Sequence, residues 1–266
     1  MIERHWALTR RAFANTPDPD FVYRSPAFAE ALARLLYDAT QLRGGLSLIT
    51  GEIGCGKTML AQTLAAQLAG SPTDVIALAY PKVTPAQMLA RLAVGIGLER
   101  PPRGKLALIE AIGARLGEMH RNARRPVLVV DEAQLASPSL LEEIRLLTNF
   151  EDRQDKHLHV VLLGQPELRD RVRTRPQIDQ RVSLRFHVEP METDDVPGYV
   201  EHRLRIAGGD VSRIFSRDAV DTLAERSAGV PRRLNTLATQ ALFVGAMRSL
   251  QQIDAELIRD VADDQE

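Results

Sequence analysis

The stretch Gly51–Thr58, with the sequence GEIGCGKT, points to the fold class of this chain. It follows the apolar run 46–50 (LSLIT) and opens a helical pattern over 59–68. Glycines let successive backbone N–H groups curl around an anion without Cβ clashes. The N-terminus of the following helix adds partial positive charge. A strand, a glycine-rich loop and a helix in this order predict a cradle for nucleotide phosphates.

The side chains at the end of this stretch have separate expected roles. Lys57 would reach the β- and γ-phosphates, and Thr58 would offer its hydroxyl to Mg²⁺. The alternative is an ordinary glycine-rich surface loop, which the flanking strand and helix disfavour. The residues expected to bind the nucleotide here are Gly51, Glu52, Ile53, Gly54, Cys55, Gly56, Lys57, Thr58 and Met59.

The composition is that of an ordinary globular protein. The 266 residues are 44% hydrophobic and 26% charged, with a net charge of −1. No overall basic field therefore attracts nucleic acid or a membrane, although a local basic patch stays open. Cys55 is the single cysteine, which excludes an intrachain disulfide. No apolar run approaches the ~18 residues of a membrane span, and residues 1–13 do not read as a secretory signal, so we expect a cytoplasmic protein.

Strand and helix patterns alternate along the first two thirds of the chain. After the first strand, apolar runs predict strands at 75–80, 127–130, 159–163 and 184–188. Helical patterns occur at 27–42, 85–96, 105–121, 138–149 and 166–172. We expect residues 1–190 to form an α/β domain, a five-stranded parallel sheet covered by helices, with an extended, proline-punctuated lead-in at 15–28. Residues 191–266 predict a small helical domain with helices at 193–207, 216–227, 232–249 and 254–263.

Two carboxylates follow the apolar run 127–130, about 70 residues after the glycine-rich loop. Ligands bind at the carboxyl ends of strands in open α/β sheets, which is where Asp131 and Glu132 should lie. Asp131 can hold Mg²⁺ through water, and Glu132 can act as general base toward an attacking water. An isolated Asp-Glu pair more often begins a surface loop, but the preceding phosphate loop favours the functional interpretation.

Three further polar residues are candidates for the same chemistry. Gln165 ends the next apolar run and could orient water or touch the γ-phosphate, or simply cap a helix. Arg181, with Arg185 second, could stabilise the phosphoryl group in a neighbouring subunit, against the alternative of a solvated basic face. Arg232 lies in the helix start Gly229–Arg233 (GVPRR), where it could reach the γ-phosphate or be an ordinary surface arginine.

Taken in order, these motifs resemble those of the AAA+ ATPases over nearly the whole chain. The resemblance matches Lys57 and Thr58 to Walker A, and Asp131 with Glu132 to Walker B. It also matches Gln165 to sensor 1 and Arg232 to sensor 2, with Arg181 near the arginine finger. The resemblance implies ATP and Mg²⁺ as ligands, binding between the α/β core and a helical lid. It also implies a homo-oligomer, as a ring or a filament, whose arginine finger acts in trans.

A finer resemblance is to the ExeA/GspA/MshM group, which serves type II secretion and type IV or MSHA-type pilus assembly. It rests on residues 13–37, on 131–134 (DEAQ) and on 163–168 (LGQPEL). In that group the lead-in helps to wrap the adenine. The resemblance therefore makes Phe21, Val22 and Tyr23 candidates for the base pocket, with core packing as the alternative. The resemblance also implies partner proteins of a secretion or pilus machine, which would place the chain peripherally at the inner membrane. Members of full length continue into a membrane helix and a peptidoglycan-binding region, so the chain is expected to be a short form or a module.

Two other functions stay open at this point. TniB/TnsC-type transposition regulators share the same motifs, assemble on DNA and recruit a transposase. DNA binding would need a local basic stripe, for which the candidates are Lys82, Arg91, Arg100, Arg103 and Lys105, against the alternative of a solvated surface. A small-molecule kinase with a phosphate loop is the third hypothesis, and the C-terminal helices give it least support.

Overall fold

A computed structural model describes residues 1–42, 45–153 and 155–264. Its sheet has five parallel strands in the order β2-β3-β4-β1-β5. The strands are β1 Leu46–Gly51, β2 Val75–Leu78, β3 Val127–Val130, β4 His159–Gly164 and β5 Val182–Val188. This confirms the predicted five-stranded parallel sheet.

Thirteen α-helices lie within the described residues. They are α1 Ile2–His5, α2 Pro26–Tyr37, α3 Lys57–Leu68, α4 Pro85–Gly95, α5 Lys105–Arg121, α6 Pro138–Leu147, α7 Pro166–Arg173, α8 Pro176–Asp179, α9 Val196–Ile206, α10 Val211–Ile214, α11 Arg217–Ser227, α12 Pro231–Met247 and α13 Ala255–Asp263. Short 3₁₀ turns occupy Pro19–Phe21, Ala133–Leu135 and Thr193–Asp195, and Asp38–Leu42 form a π-helical turn. The predicted long helix 27–42 is thus a regular helix to Tyr37 followed by this turn, and the predictions did not include the four-residue helices α1, α8 and α10.

The order of the strands explains their sequences. Every residue of β1, β3 and β4 is buried, as expected for central strands covered on both faces. The outermost strand β5 instead carries polar residues such as Ser183 and Arg185, and most of its residues are only partly buried. Its first two residues, Val182 and Ser183, lie outside the predicted strand, although they continue the alternation of apolar and polar residues in β5.

The chain divides into two compact units, which we call the α/β unit and the helical unit. The α/β unit contains Glu30–Glu52 and Leu60–Val188. The helical unit contains Met1–Ala29, Ile53–Met59 and Glu189–Glu266. The change at Glu189 falls next to the predicted boundary after residue 190, but the lead-in and the glycine-rich loop group with the C-terminal helices.

The N-terminal residues 1–29, which include the lead-in, join the helical unit because their apolar side chains contribute to that unit's core. Trp6, Phe13 and Phe21 are buried there. The buried guanidinium of Arg203 on α9 donates to the backbone oxygens of Ala12 and Ala14 at 2.6 and 3.0 Å. The expected extended segment is therefore a packed element, with a short 3₁₀ turn where extended chain was predicted.

Candidate functional site

The carboxyl ends of three neighbouring strands coincide at one edge of the sheet. Val130, the last residue of β3, pairs with Leu162 of β4, and Gly164 at the end of β4 pairs with Thr50 of β1. Asp131 therefore follows the strand beside β4, Gln165 follows β4 itself, and the next strand, β1, leads into the glycine-rich loop. We call this the carboxyl edge of the sheet.

The glycine-rich loop has the backbone that its sequence requires. Gly54 and Gly56 have φ angles of 88° and 93°, in the left-handed region that favours glycine. A Cβ built at Gly56 would meet no atom within 4 Å, so this part of the loop faces open space. Cys55 is buried, and Lys57 is buried as the first residue of α3, while Thr58 is exposed. The glycine conformations and the open space at Gly56 are those expected of the predicted phosphate cradle, which would use backbone N–H groups rather than the side chain of Cys55.

Arg232 lies directly against this loop within the helical unit. Its backbone N–H donates to the oxygen of Gly54 at 3.3 Å. A Cβ at Gly54 would lie only 2.7 Å from the Cβ of Arg232, so a glycine at this position permits the close approach. Pro231 opens α12 and fixes Arg232 in its first turn, with an exposed side chain. The structure therefore brings the predicted Arg232 and the predicted phosphate loop together.

Asp131 and Glu132 form a tight bend after β3. The N–H of Asp131 donates to Leu78 at 3.0 Å, which continues the pairing with β2. The N–H of Glu132 donates to Oδ1 of Asp131 at 2.8 Å. Glu132 itself has a φ of 51°, a left-handed conformation that is costly for a residue with a side chain. Such backbone strain is often found at functional sites.

Gln134 links the two strand ends, a role that we did not predict from the sequence. Its side-chain nitrogen donates to Oε2 of Glu132 at 2.6 Å, and its Oε1 accepts from the N–H of Gln165 at 3.2 Å. A Cβ at Gly164 would lie 2.7 Å from that Oε1, so the glycine leaves room for the amide. One amide thus fixes the carboxylate of Glu132 relative to the end of β4. The pattern 131–134 (DEAQ) contained this residue, but its pairing is visible only in three dimensions.

The side chain of Arg171, on α7, also hydrogen-bonds to the residues that follow β3. Its guanidinium donates to the backbone oxygens of Gln134 and Ala136, the latter at 2.6 Å. Burial, followed by the charge of Arg175, lowers the pKa of Arg171 from its usual value. A guanidinium nevertheless keeps its charge in proteins, so these carbonyl groups have a permanent cationic donor.

The three lead-in candidates for a base pocket differ in their surroundings. Phe21 is buried in the core of the helical unit, and the guanidinium groups of Arg10 and Arg203 lie 4.8 and 4.9 Å from its ring centre. Tyr23 packs edge-on against Tyr199, and burial, followed by the charge of Asp195, raises the pKa of its hydroxyl. Val22 is half-buried. The packing of Phe21 is that of a core residue, so Val22 and Tyr23 are the better candidates for contact with a base.

The two arginine-finger candidates differ in position: Arg181 lies near the amino end of the sheet, and Arg185 lies in the middle of β5. Arg181 immediately precedes Val182, the first residue of β5, and all strands are parallel. Its guanidinium lies 3.4 Å from the hydroxyl of Thr148, and within the described residues it forms no ion pair. Arg185, in contrast, is paired with Asp179 at 3.1 Å. Arg185 is the more exposed of the two, but only Arg181 lacks a carboxylate partner among the described residues.

The predicted DNA-binding stripe consists of five basic residues. All five are exposed, and Lys105 is paired with the buried carboxylate of Glu143 at 2.6 Å. The residues are Lys82, Arg91, Arg100, Arg103 and Lys105. The pairing of Lys105 reduces the positive charge that this surface offers to phosphates.

Comparison with known proteins identifies the family. Residues 41–172 match the family described as AAA domain. Over 257 residues, 95% of this chain, the sequence is 37% identical to General secretion pathway protein A of Aeromonas hydrophila. The chain belongs to the AAA+ ATPase family. The match spans less than half the length of each curated relative. It covers 46% of the Aeromonas protein, and 34% of an uncharacterised HTH-type transcriptional regulator of Methanocaldococcus jannaschii that is 22% identical.

Solved structures show the same fold. The ORC2 protein of Aeropyrum pernix aligns with a TM-score of 0.73 at 17% identity, over 96% of this chain and 71% of that one. Cdc6p of Pyrobaculum aerophilum aligns with a TM-score of 0.74 at 15% identity, over 95% and 70% of the two chains. RuvB of Thermotoga maritima aligns with a TM-score of 0.61 at 16% identity, over 88% and 68%. In the part of the chain that is described, no helix is long and apolar enough to cross a membrane.

Replacing Arg171 by Met should destabilise this AAA+ protein. The two carbonyl groups would lose a charged donor, and hydrogen bonds to charged groups contribute about 1.5–3 kcal/mol. Arg169→Met is the matched control, because Arg169 is exposed on the same helix, α7. Urea denaturation followed by circular dichroism measures both variants. Equal losses for the two would show that the contacts of Arg171 with Gln134 and Ala136 do not stabilise the bend.

Proposed function

We propose that this chain is a Mg²⁺-dependent ATPase that assembles with other copies of itself and drives or regulates a protein machine. The observation that carries the proposal is the shared carboxyl end of three strands: the bend 131–134 and Gln165 follow β3 and β4, and β1 runs directly into a glycine-rich loop with the required glycine conformations. The 37% identity to General secretion pathway protein A favours a machine of type II secretion, or the related type IV and MSHA-type pilus assembly.

Each residue of the phosphate-binding part has a defined task in this proposal. The N–H groups of 51–59 would bind the phosphates, with Lys57 and Arg232 supplying positive charge. Thr58 and Asp131 would hold Mg²⁺, which neutralises charge on the β- and γ-phosphates. The proximity of Arg232 to Gly54 supports its assignment as a phosphate contact.

Hydrolysis would depend on the bend after β3. Glu132 would accept a proton from the attacking water, and Gln165 would orient that water or touch the γ-phosphate. Gln134 is a positioning residue in this scheme, since its amide holds the carboxylate of Glu132 at 2.6 Å. Arg181 would act on the nucleotide of a neighbouring subunit, because it lies near the opposite edge of its own sheet.

The first test replaces Glu132 by Gln, which keeps the size of the side chain and removes its basicity. We expect ATP binding to persist and turnover to fall by at least about 100-fold, the lower range for loss of general base catalysis. Fluorescent-nucleotide titration and phosphate release measure the two quantities.

Lys57→Ala should instead lose ATP affinity. Glu167→Gln, at an exposed carboxylate on α7, should change neither ATP affinity nor turnover. Unchanged turnover in Glu132→Gln would remove Glu132 from the role of base.

The second test examines whether Arg181 acts in trans. Arg181→Ala should bind ATP and lose turnover by about 10³-fold or more, the range for an arginine finger. Mixing Arg181→Ala with Glu132→Gln should restore part of the activity, because some sites then combine an intact Glu132 with a neighbour's intact Arg181. Arg185→Ala is the matched control and should remain active. Full activity of Arg181→Ala alone would place the finger elsewhere.

The third test separates the secretion or pilus function from a DNA-bound transposition regulator. The ATPase rate per chain is measured against protein concentration, with and without double-stranded DNA, at two salt concentrations. We expect a rate that rises with concentration and is insensitive to DNA. A large stimulation by DNA that salt abolishes would support the regulator, since contacts with phosphates are salt-dependent. The residues Arg91, Arg100 and Arg103 would then be the first to replace.

A further inference from the structure

One face of α5 receives the loop that leads into β4. Gly113 and His120 lie seven residues apart, close to two helical turns, and therefore share a face. A Cβ at Gly113 would lie 2.7 Å from the ring of Phe150, so this glycine lets the ring rest against the helix. His120, in the last turn of α5, meets the residues that follow Phe150. The packing of Phe150 thus fixes where the loop passes His120.

The loop has hydrogen bonds that orient its carboxylate. The N–H of Asp155 donates to Oδ1 of Asp152 at 2.9 Å, and the N–H of Asp152 donates back to the oxygen of Asp155 at 3.0 Å. The N–H of His157 donates to the oxygen of Phe150 at 2.8 Å. Because Oδ1 of Asp152 is used by the loop, Oδ2 is the oxygen that faces the two histidines.

Two imidazoles converge on this oxygen. Nε2 of His120 lies 3.1 Å and Nε2 of His157 lies 3.5 Å from Oδ2 of Asp152. The two rings stack with centroids 4.5 Å apart. The two nitrogens and a carboxylate oxygen all lie within 4.8 Å of one another. Nε2 of His157 is buried and has no hydrogen-bond partner among the described residues.

The two distances to Oδ2 of Asp152 are compatible with a shared metal ion, and the unpartnered nitrogen of His157 favours one. Ligands at about 2.0–2.1 Å from a tetrahedral zinc ion lie about 3.3 Å from one another. The two distances to Oδ2 fall on either side of this value. In a hydrogen-bonded cluster His120 is satisfied by Asp152, but the buried Nε2 of His157 has no partner, which costs free energy. A cation within reach of all three atoms would provide that partner.

We propose that His120, Asp152 and His157 form a binding site for a divalent transition-metal ion of the zinc class. Two imidazole nitrogens and one carboxylate oxygen are a donor set that Zn²⁺ accepts, whereas Mg²⁺ prefers oxygen ligands alone. Oδ2 of Asp155 lies 4.0 Å from Nε2 of His120 and is the candidate for a fourth ligand. The ion would connect the end of α5 to the loop that enters β4.

The charged groups beside the site leave it accessible to a cation. Lys156, which precedes His157 in the chain, is paired with Glu151, and this carboxylate offsets its charge. The site precedes β4, so it lies near the edge opposite Asp131 and Gln165. Zn²⁺ binding can therefore be measured independently of ATP hydrolysis. Absence of Zn²⁺ binding would not contradict the proposed ATPase function.

The test is calorimetric titration of Zn²⁺ into the full chain, stripped of metal with a chelator and free of nucleotide. We expect one ion per chain and a rise in melting temperature that Mg²⁺ does not produce. His120→Gln and His157→Gln should each weaken Zn²⁺ binding by more than about 100-fold, since loss of an outer-shell partner alone costs about 10–100-fold. Circular dichroism of each metal-free variant verifies that it folds.

Two control variants exclude other zinc ligands. His5→Gln removes a histidine that bonds to the backbone of Leu250, outside the cluster, and Cys55→Ser removes the only thiol. Both should bind Zn²⁺ as the parent chain does. Absence of Zn²⁺ binding, or equal affinity in the parent and in folded His120→Gln and His157→Gln, would overturn the proposal. So would a loss of binding in Cys55→Ser that matches the loss in the histidine variants.

Discussion

The parallel register of β1, β3 and β4 is the constraint on which the rest of the site depends. Because these strands end together, Asp131, Gln165 and the first residues of the glycine-rich loop, Gly51 and Glu52, leave the sheet at a single edge. Hydrogen bonds between buried strands are costly to break, and a slip by one residue would turn each buried side chain to the other face. The register therefore fixes the positions of the polar residues as firmly as it fixes the core.

Sequence patterns were sufficient to predict this part of the fold. The apolar runs gave all five strands, and the helix predicted at 105–121 matches Lys105–Arg121. Such patterns are informative because fully buried strands appear as short continuous apolar runs and amphipathic helices as an apolar repeat of 3.6 residues. The four-residue helices α8 and α10 leave no such record, since one helical turn shows no period. The change from α-helix to π-helical turn at Asp38–Leu42 was likewise not predicted, because the turn directly continues the helix before it.

Contacts between residues distant in sequence explain what the patterns could not predict. Arg203 reaches back about 190 residues to the carbonyl groups of Ala12 and Ala14, which makes the lead-in part of the helical unit. Gln134 similarly meets Gln165, 31 positions away, and Arg171 meets the bend from a separate helix. Each contact joins a side chain to a backbone group, and nearly any sequence offers such a group. The motif DEAQ therefore suggested a carboxylate site without revealing what holds the carboxylate.

The two edges of the sheet carry different parts of the proposed machinery. Asp131, Glu132 and Gln165 follow strand ends, whereas Arg181 precedes a strand start in the same parallel sheet. Arg181 cannot approach its own chain's carboxyl edge without unfolding β5, since a seven-residue strand spans more than about 20 Å. If Arg181 is the finger, a single chain is incomplete, and assembly becomes a requirement of the chemistry. The proposed metal site lies toward the same end of the sheet as Arg181, whose charge acts on Lys156. A metal ion that fixed this loop would thus stabilise the surface that a neighbouring chain has to recognise.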